Sequence, residues 1–89
     1  AQDKQHQQLE LADEEQQHAL ALVRRGEFRH ALQIAEGILE VRKQLLGPGH
    51  RETANSLDLL GSISQELGDN RQAVEVMRQA LDIRLNLLG

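Results

Sequence analysis

The sequence contains no cysteine, no tryptophan and no tyrosine, and it has one phenylalanine and one proline among its 89 residues. Without cysteine the chain forms neither disulfides nor thiolate metal sites, and the redox state of its compartment stays open. Few aromatic residues and few helix breakers, together with abundant leucine and alanine, favour helices over strands. The composition therefore predicts an all-α protein.

A basic surface is also missing from this chain. The net charge is −4, whereas nucleic-acid recognition relies on lysine, arginine and flat side chains that stack on bases. We therefore expect no nucleic acid among its partners. No apolar run approaches the roughly 20 residues of a membrane-spanning helix, so no membrane span is expected either.

The sequence shows no signal peptide, and it begins with Ala1 rather than methionine. The compartment is unknown, with the cytoplasm favoured. The periplasm and secretion stay open for a chain whose leader is removed before Ala1.

The chain nearly repeats itself at a spacing of 42 residues. When residues 12–47 are aligned with residues 54–89, nine of the 36 pairs are identical, among them Gly26 with Gly68 and Arg42 with Arg84. A fixed period of this size is typical of repeat arrays, in which each unit buries its apolar face on its neighbour. We predict one domain over 1–89, with a polar N-terminal extension (1–11) and two repeats (12–47 and 54–89).

Glycine-containing breaks at 26–27, 47–50 and 68–70 divide the chain into four helical stretches. Apolar residues recur between the breaks at i, i+3, i+4 and i+7, which predicts helices over 28–46, 51–67 and 70–88. Short connections make neighbouring helices antiparallel. The predicted fold is therefore a right-handed array of antiparallel helix hairpins, with two repeats and four helices.

The first helical stretch is interrupted by polar residues at 13–18. Asp13 and Gln16 have the spacing of a capping box, so we expect the helix to restart at this point. Residues 1–8 are rich in glutamine, and they fit either frayed coil or a helical extension. A polar first helix suits the end of an array, where its outer face meets water.

Two features of the second repeat concern packing. Gly61 lies inside the third helix, where glycine costs about 1 kcal/mol relative to alanine. We interpret it as a close contact between helices that leaves no room for a Cβ atom. The fourth stretch carries more apolar surface than one neighbouring helix covers.

The second repeat resembles a tetratricopeptide repeat, because small and large residues stand at the positions where that family places them. The small ones are Gly61, Ala73 and Ala80, the large ones are Leu57, Leu60 and Met77, and Gly68 stands at the turn. The 42-residue spacing and the segments 31–34, 45–50 and 53–57 resemble the kinesin light chain subtype. The resemblance covers residues 12–89.

This resemblance implies that the first helix of each repeat lines a concave groove that binds a partner peptide or protein. Carried over position by position, the groove residues are Asp13, Gln16, Leu20, Val23, Arg24, Asn55, Asp58, Ser62, Gln65 and Glu66. The set is mostly polar and has no aromatic anchor. Because binding hot spots favour tryptophan, tyrosine and arginine, we expect a peptide to be held weakly.

The residue types that carry chemistry also have structural interpretations here. No two of His6, His18, His30 and His50 are four residues apart, so no helix face offers the usual histidine pair of a metal site. We interpret them as surface or capping residues, with His50 in the loop. The sequence has no nucleophile motif and no phosphate-binding loop. We therefore predict no enzyme activity, no cofactor and no metal.

The leading functional prediction is a protein-interaction scaffold that acts through its concave helix face. One alternative is a self-assembly module, which forms a homodimer through the apolar fourth helix. The other is a piece of a larger adaptor of the same family.

Overall fold

The computed structural model describes residues 2–89, and in this part of the chain it contains four α-helices. They are α1 (Gln2–Arg24), α2 (Phe28–Leu46), α3 (Arg51–Glu66) and α4 (Asn70–Leu87). The all-α helix-hairpin array predicted from the sequence is confirmed. The three later helices agree with their predicted bounds to within one residue, because glycines at the predicted breaks end the preceding helices.

The two hairpins use the same turn. Gly26 follows α1 with φ +79°, and the backbone N–H of Glu27 donates to the carbonyl of Leu22 at 2.9 Å. Gly68 follows α3 with φ +84°, and the backbone N–H of Asp69 donates to the carbonyl of Ser64 at 2.8 Å. Glycine adopts this left-handed conformation without steric cost, so these two positions determine where each first helix ends.

The connection between the repeats is fixed by side-chain caps. His50 precedes α3, and its Nδ1 accepts from the backbone N–H of Glu52 at 2.9 Å. The hydroxyl of Thr53 donates to the carbonyl of Gly47 at 2.8 Å. The predicted place of His50 in the loop motif is confirmed, and its role there is to cap a helix.

The core lies between helices that follow one another in the chain. α1 contacts α2, α2 contacts α3, and α3 contacts α4, so α2 is covered on two sides. Small residues bring the helices close together. The central cluster consists of Leu22, Ala31, Ala35, Ala54, Leu57, Leu60, Ile63, Val76 and Ala80.

The predicted restart of the first helix at Asp13 is wrong. α1 runs without a break from Gln2 to Arg24, so residues 2–8 form a helical extension, and Ala1 lies outside the described residues. Asp13 and Gln16 do not form a capping box. Their side chains bind an arginine of α2 instead.

The interpretation of Gly61 as a close contact is confirmed. A Cβ atom built on Gly61 would lie 2.8 Å from Cγ of Met77 and 3.2 Å from Cγ2 of Val76. Both neighbours belong to α4. The absence of a side chain at Gly61 therefore allows α3 and α4 to pack closely in the second hairpin.

Candidate functional site

The ten predicted groove residues are divided equally between α1 and α3, the first helices of the two repeats. On α1 they are Asp13, Gln16, Leu20, Val23 and Arg24; on α3 they are Asn55, Asp58, Ser62, Gln65 and Glu66. Four of the ten hold arginines of the second helices, and the other six lie nearer the C-terminal ends of α1 and α3.

Asp13 and Gln16 of the first repeat both bind Arg42 of α2. Nη1 of Arg42 donates to Oε1 of Gln16 at 2.6 Å and to Oγ of Ser56 at 2.7 Å. Nη2 donates to Oδ1 of Asp13 at 2.9 Å. The Arg42 side chain is 3% exposed, so a buried cation is held by acceptors from α1 and α3 at once.

Asn55 and Asp58 of the second repeat bind Arg84 of α4. Nη2 of Arg84 donates to Oδ1 of Asn55 at 3.0 Å, and Nη1 lies 2.6 Å from Oδ2 of Asp58. Each of these three residues stands 42 positions after its counterpart in the first repeat. The same network is therefore built twice, and it ties the first helix of each repeat to the second.

Arg42 and Arg84 are the arginines that hold four of the groove candidates, and the groove prediction did not include them. They are identical between the repeats, but this identity alone assigns no role to them. The available signal was a charge inside an apolar helical stripe, because such a charge needs partners on a neighbouring helix. A single sequence does not show which neighbour supplies them.

The other six candidates are arranged as two dissimilar halves. On α1, Leu20 and Val23 are half-buried and Arg24 is exposed; on α3, Ser62, Gln65 and Glu66 are exposed. The α1 half is therefore apolar with a positive end, and the α3 half is polar with a negative end. Val23 also packs against the core cluster.

Two open pockets lie on the surface, and neither is lined by any of these six residues. One of about 320 Å³ lies between α1 and α2, beside Leu11, Ile34 and Gly37. A wider one of about 940 Å³ is lined by Leu46, His50, Arg51, Asn55, Arg84, Leu87 and Leu88. Neither cavity gathers a set of groups suited to acid–base chemistry.

Metal sites and membrane spans are both absent from the described part of the chain. Within residues 2–89, no group of three or more histidine, cysteine, aspartate or glutamate side chains is placed to hold a metal ion. No helix in that range combines the length and the hydropathy of a membrane span.

The geometry defines a class of protein: helix hairpins stacked side by side, each closed by a glycine turn and joined by an arginine of its second helix. The Tetratricopeptide repeat family matches residues 8–86, and the chain belongs to this family. No curated protein and no solved structure matches the chain. Members of this family generally act as protein–protein interaction modules.

Proposed function

We propose that the chain binds a segment of a protein partner along the face formed by the C-terminal halves of α1 and α3, and that it does so without catalysis. Family membership supports the class of function. The observation that carries the location is that Asp13, Gln16, Asn55 and Asp58 hold Arg42 and Arg84. Leu20, Val23, Arg24, Ser62, Gln65 and Glu66 are then the groove residues best placed for a partner.

The chemistry of this face selects the partner. Leu20 and Val23 offer an aliphatic strip, Arg24 a positive charge and Glu66 a negative one. A segment with one apolar side chain, flanked by an acidic residue towards α1 and a basic residue towards α3, complements it. Charge complementarity of this kind contributes mainly to specificity and association rate.

Affinity is expected to be low. Two repeats provide a short groove, and stable interfaces usually bury at least about 1,000 Å² in total. The groove candidates also include no aromatic anchor. We expect a dissociation constant in the micromolar to millimolar range.

The experiment is to select peptides from a displayed random library against the full chain. Binding of a selected peptide is then measured with Leu20→Ser, which copies Ser62 of the other repeat. The matched control is Leu11→Thr, which copies Thr53 and lies nine residues away, on the opposite side of α1 at about 100° per residue. Leu20→Ser should weaken binding severalfold, and Leu11→Thr should leave it unchanged.

Changes in the backbone NMR chemical shifts on addition of the selected peptide locate the binding site. Shifts confined to α1 and α3 between 20 and 24 and between 62 and 66 support the proposal. A library without a binder, equal losses in the two variants, or shifts on α4 would contradict it.

Three finer assignments accompany this proposal. The 42-residue spacing supports placing the repeats in the kinesin light chain-like subtype. The chain is then divided into an extension (1–11) and two repeats (12–47 and 54–89). Self-association through α4 is the second candidate, because α4 exposes Leu81, Leu85 and Leu88.

A further inference from the structure

Gly37 is a helical glycine that no packing contact explains. It lies in the middle of α2, where glycine destabilises a helix relative to alanine. Gly61 of α3 has a steric reason, because a Cβ atom built there would lie 2.8 Å from Cγ of Met77. A Cβ atom built on Gly37 would have no neighbouring atom within 4 Å in the described part of the chain. A close contact between helices therefore does not account for glycine at this position.

The open space beside Gly37 is a pocket between α1 and α2, which we call the α1–α2 pocket. Its volume is about 320 Å³, and its apolar lining includes Leu11, Ile34, Gly37 and Val41. Among the described residues, its polar lining consists of Gln8, Glu15 and Gln33. An apolar wall with a few polar groups is typical of small-molecule sites, whose volumes begin at about 300 Å³. The absence of a side chain at Gly37 leaves this pocket open.

Two residues of the pocket differ in type from their counterparts in the second repeat. Gln79 stands 42 positions after Gly37, and Leu57 stands 42 positions after Glu15. Leu57 is 3% exposed and belongs to the core, whereas the Glu15 side chain is 52% exposed. The missing side chain and the carboxylate are therefore both specific to the first repeat.

The pocket has a negative charge at its edge. Of the described residues that line it, only Glu15 carries a charge. Oε2 of Glu15 lies 3.9 Å from Nδ1 of His18, which is too far for a hydrogen bond. Residues 3–15 also contain five acidic side chains and one lysine. A surface with this balance attracts small cations.

We infer that the α1–α2 pocket binds a small organic amine. Its protonated nitrogen pairs with the carboxylate of Glu15, and its aliphatic body lies against Gly37 between α1 and α2. Aliphatic amines are protonated at neutral pH, as lysine is. The pocket holds about ten non-hydrogen atoms, since a water-sized group occupies about 30 Å³ in a liquid.

Other occupants fit this pocket less well. A further helix hairpin packed on this face would bury the Glu15 carboxylate, at the position where Leu57 is buried between the repeats. A buried carboxylate without a partner is unfavourable. An aliphatic acid would bring a second negative charge beside the first. A ligand that carries its own cation avoids both costs.

The test is a titration of the full chain with hexylamine at neutral pH, followed by backbone NMR. Hexylamine should shift the amide signals of 8–15 and 33–41, with a dissociation constant of about 1–10 mM. Hexanoate has the same chain length and the opposite charge, and it should bind several times more weakly. Propylamine has the same charge and a shorter body, and it should bind at least about tenfold more weakly. Absence of shifts at the pocket, or equal binding of hexylamine and hexanoate, would overturn the inference.

Two substitutions at Gly37 separate the pocket from the stability of the helix. Gly37→Leu fills the pocket and should abolish the hexylamine shifts. Its melting temperature should not fall, because leucine is a better helix former than glycine, so the loss of binding is not a loss of fold. Gly37→Ala has similar helix propensity and a smaller side chain, and it should retain most of the binding. Unchanged binding in Gly37→Leu would overturn the inference.

The charge is tested with two neighbouring glutamates. Glu15→Gln should weaken hexylamine binding by about twofold to fivefold, as expected for a partly exposed ion pair. The matched control is Glu14→Gln, since Glu14 is exposed on the same helix and does not line the pocket. Equal responses of the two variants would overturn the pairing with Glu15.

This pocket is separate from the face proposed for the partner segment, and the leucine variants of α1 distinguish the two. Leu11 lines the pocket, and Leu20 lies on the opposite side of the helix. Leu11→Thr should weaken hexylamine binding severalfold, and Leu20→Ser should leave it unchanged. The reverse order would mean that hexylamine occupies the groove, and the inference would fall.

Discussion

Nη1 of Arg42 donates to Oγ of Ser56 across 2.7 Å, and this bond joins the second helix of the first repeat to the first helix of the second. The same nitrogen donates to Gln16 on α1. One buried guanidinium thus connects three helices. Since hydrogen bonds to charged groups contribute more than neutral ones, the junction depends strongly on this residue.

Replacement of the two arginines should have unequal costs. Arg42→Ala removes a buried side chain with acceptors on α1 and α3, and we expect it to lower the free energy of unfolding by about 2–3 kcal/mol. Arg84→Ala removes a partly exposed ion pair, worth at most about 1 kcal/mol. Urea denaturation measures both. Equal losses would show that the connection between repeats adds nothing to the stability.

A missing cap on α2 offers a stabilising substitution. Asp69 accepts from the backbone N–H of Gln72 at the start of α4, whereas Glu27, 42 residues earlier, has nearly the same backbone angles and makes no side-chain cap. Glu27→Asp should install the cap and add about 0.5–1 kcal/mol.

Thermal unfolding followed by circular dichroism checks this prediction, with Asp69→Glu as the reciprocal control. That control should lose a similar amount. The ion pair of Glu27 with Arg25 is exposed on both sides, and its loss should cost little. A melting temperature that falls in Glu27→Asp would contradict the argument.

Two helical glycines should respond in opposite ways to alanine. Gly37 lies in the middle of α2, and a Cβ atom added there would have no neighbouring atom within 4 Å. Gly37→Ala should therefore gain about 0.5–1 kcal/mol from helix propensity. Gly61→Ala should lose stability, because its Cβ meets Met77 and Val76. Chemical denaturation of the two variants separates the effect of helix propensity from that of packing. A gain of stability in both variants would refute the close contact at Gly61.

Amide hydrogen exchange should follow the order of burial. α2 and α3 each pack closely on two neighbouring helices, whereas α1 and α4 each pack closely on one. The amides of α2 and α3 should therefore exchange most slowly, and the first turns of α1 should exchange fastest. Protection in α1 as high as in α3 would contradict this order.

The helices could be predicted from the sequence because their limits are local. Glycine at 26 and 68 ends a helix through its own backbone freedom, and the apolar period specifies the buried face without knowledge of the partner. The close contact at Gly61 could also be predicted from a local signal. A glycine inside a strong helix pattern lowers helix stability, and a close contact between helices explains why it is there.

The arginine network could not be predicted in the same way. Asp13 and Gln16 have the types and spacing of a capping box, and the same side chains also suit a guanidinium from another helix. The choice between the two depends on Arg42, which is 29 residues from Asp13. A local sequence pattern does not report a pairing between residues so far apart in the chain. The groove residues were therefore predicted without the arginines that four of them bind.

The carboxylate of Asp13 contacts both solvent and the protein interior, because its side chain is 73% exposed and also binds the buried Arg42. A cation that approaches α1 from solvent competes with Arg42 for Oδ1 of this carboxylate. Any ligand that captures Asp13 therefore spends part of its binding free energy on weakening the joint between α1 and α2. By reciprocity, a variant in which α1 and α2 are held together less tightly makes the Asp13 carboxylate easier to bind. The affinity of a ligand for Asp13 and the stiffness of the array are therefore linked quantities.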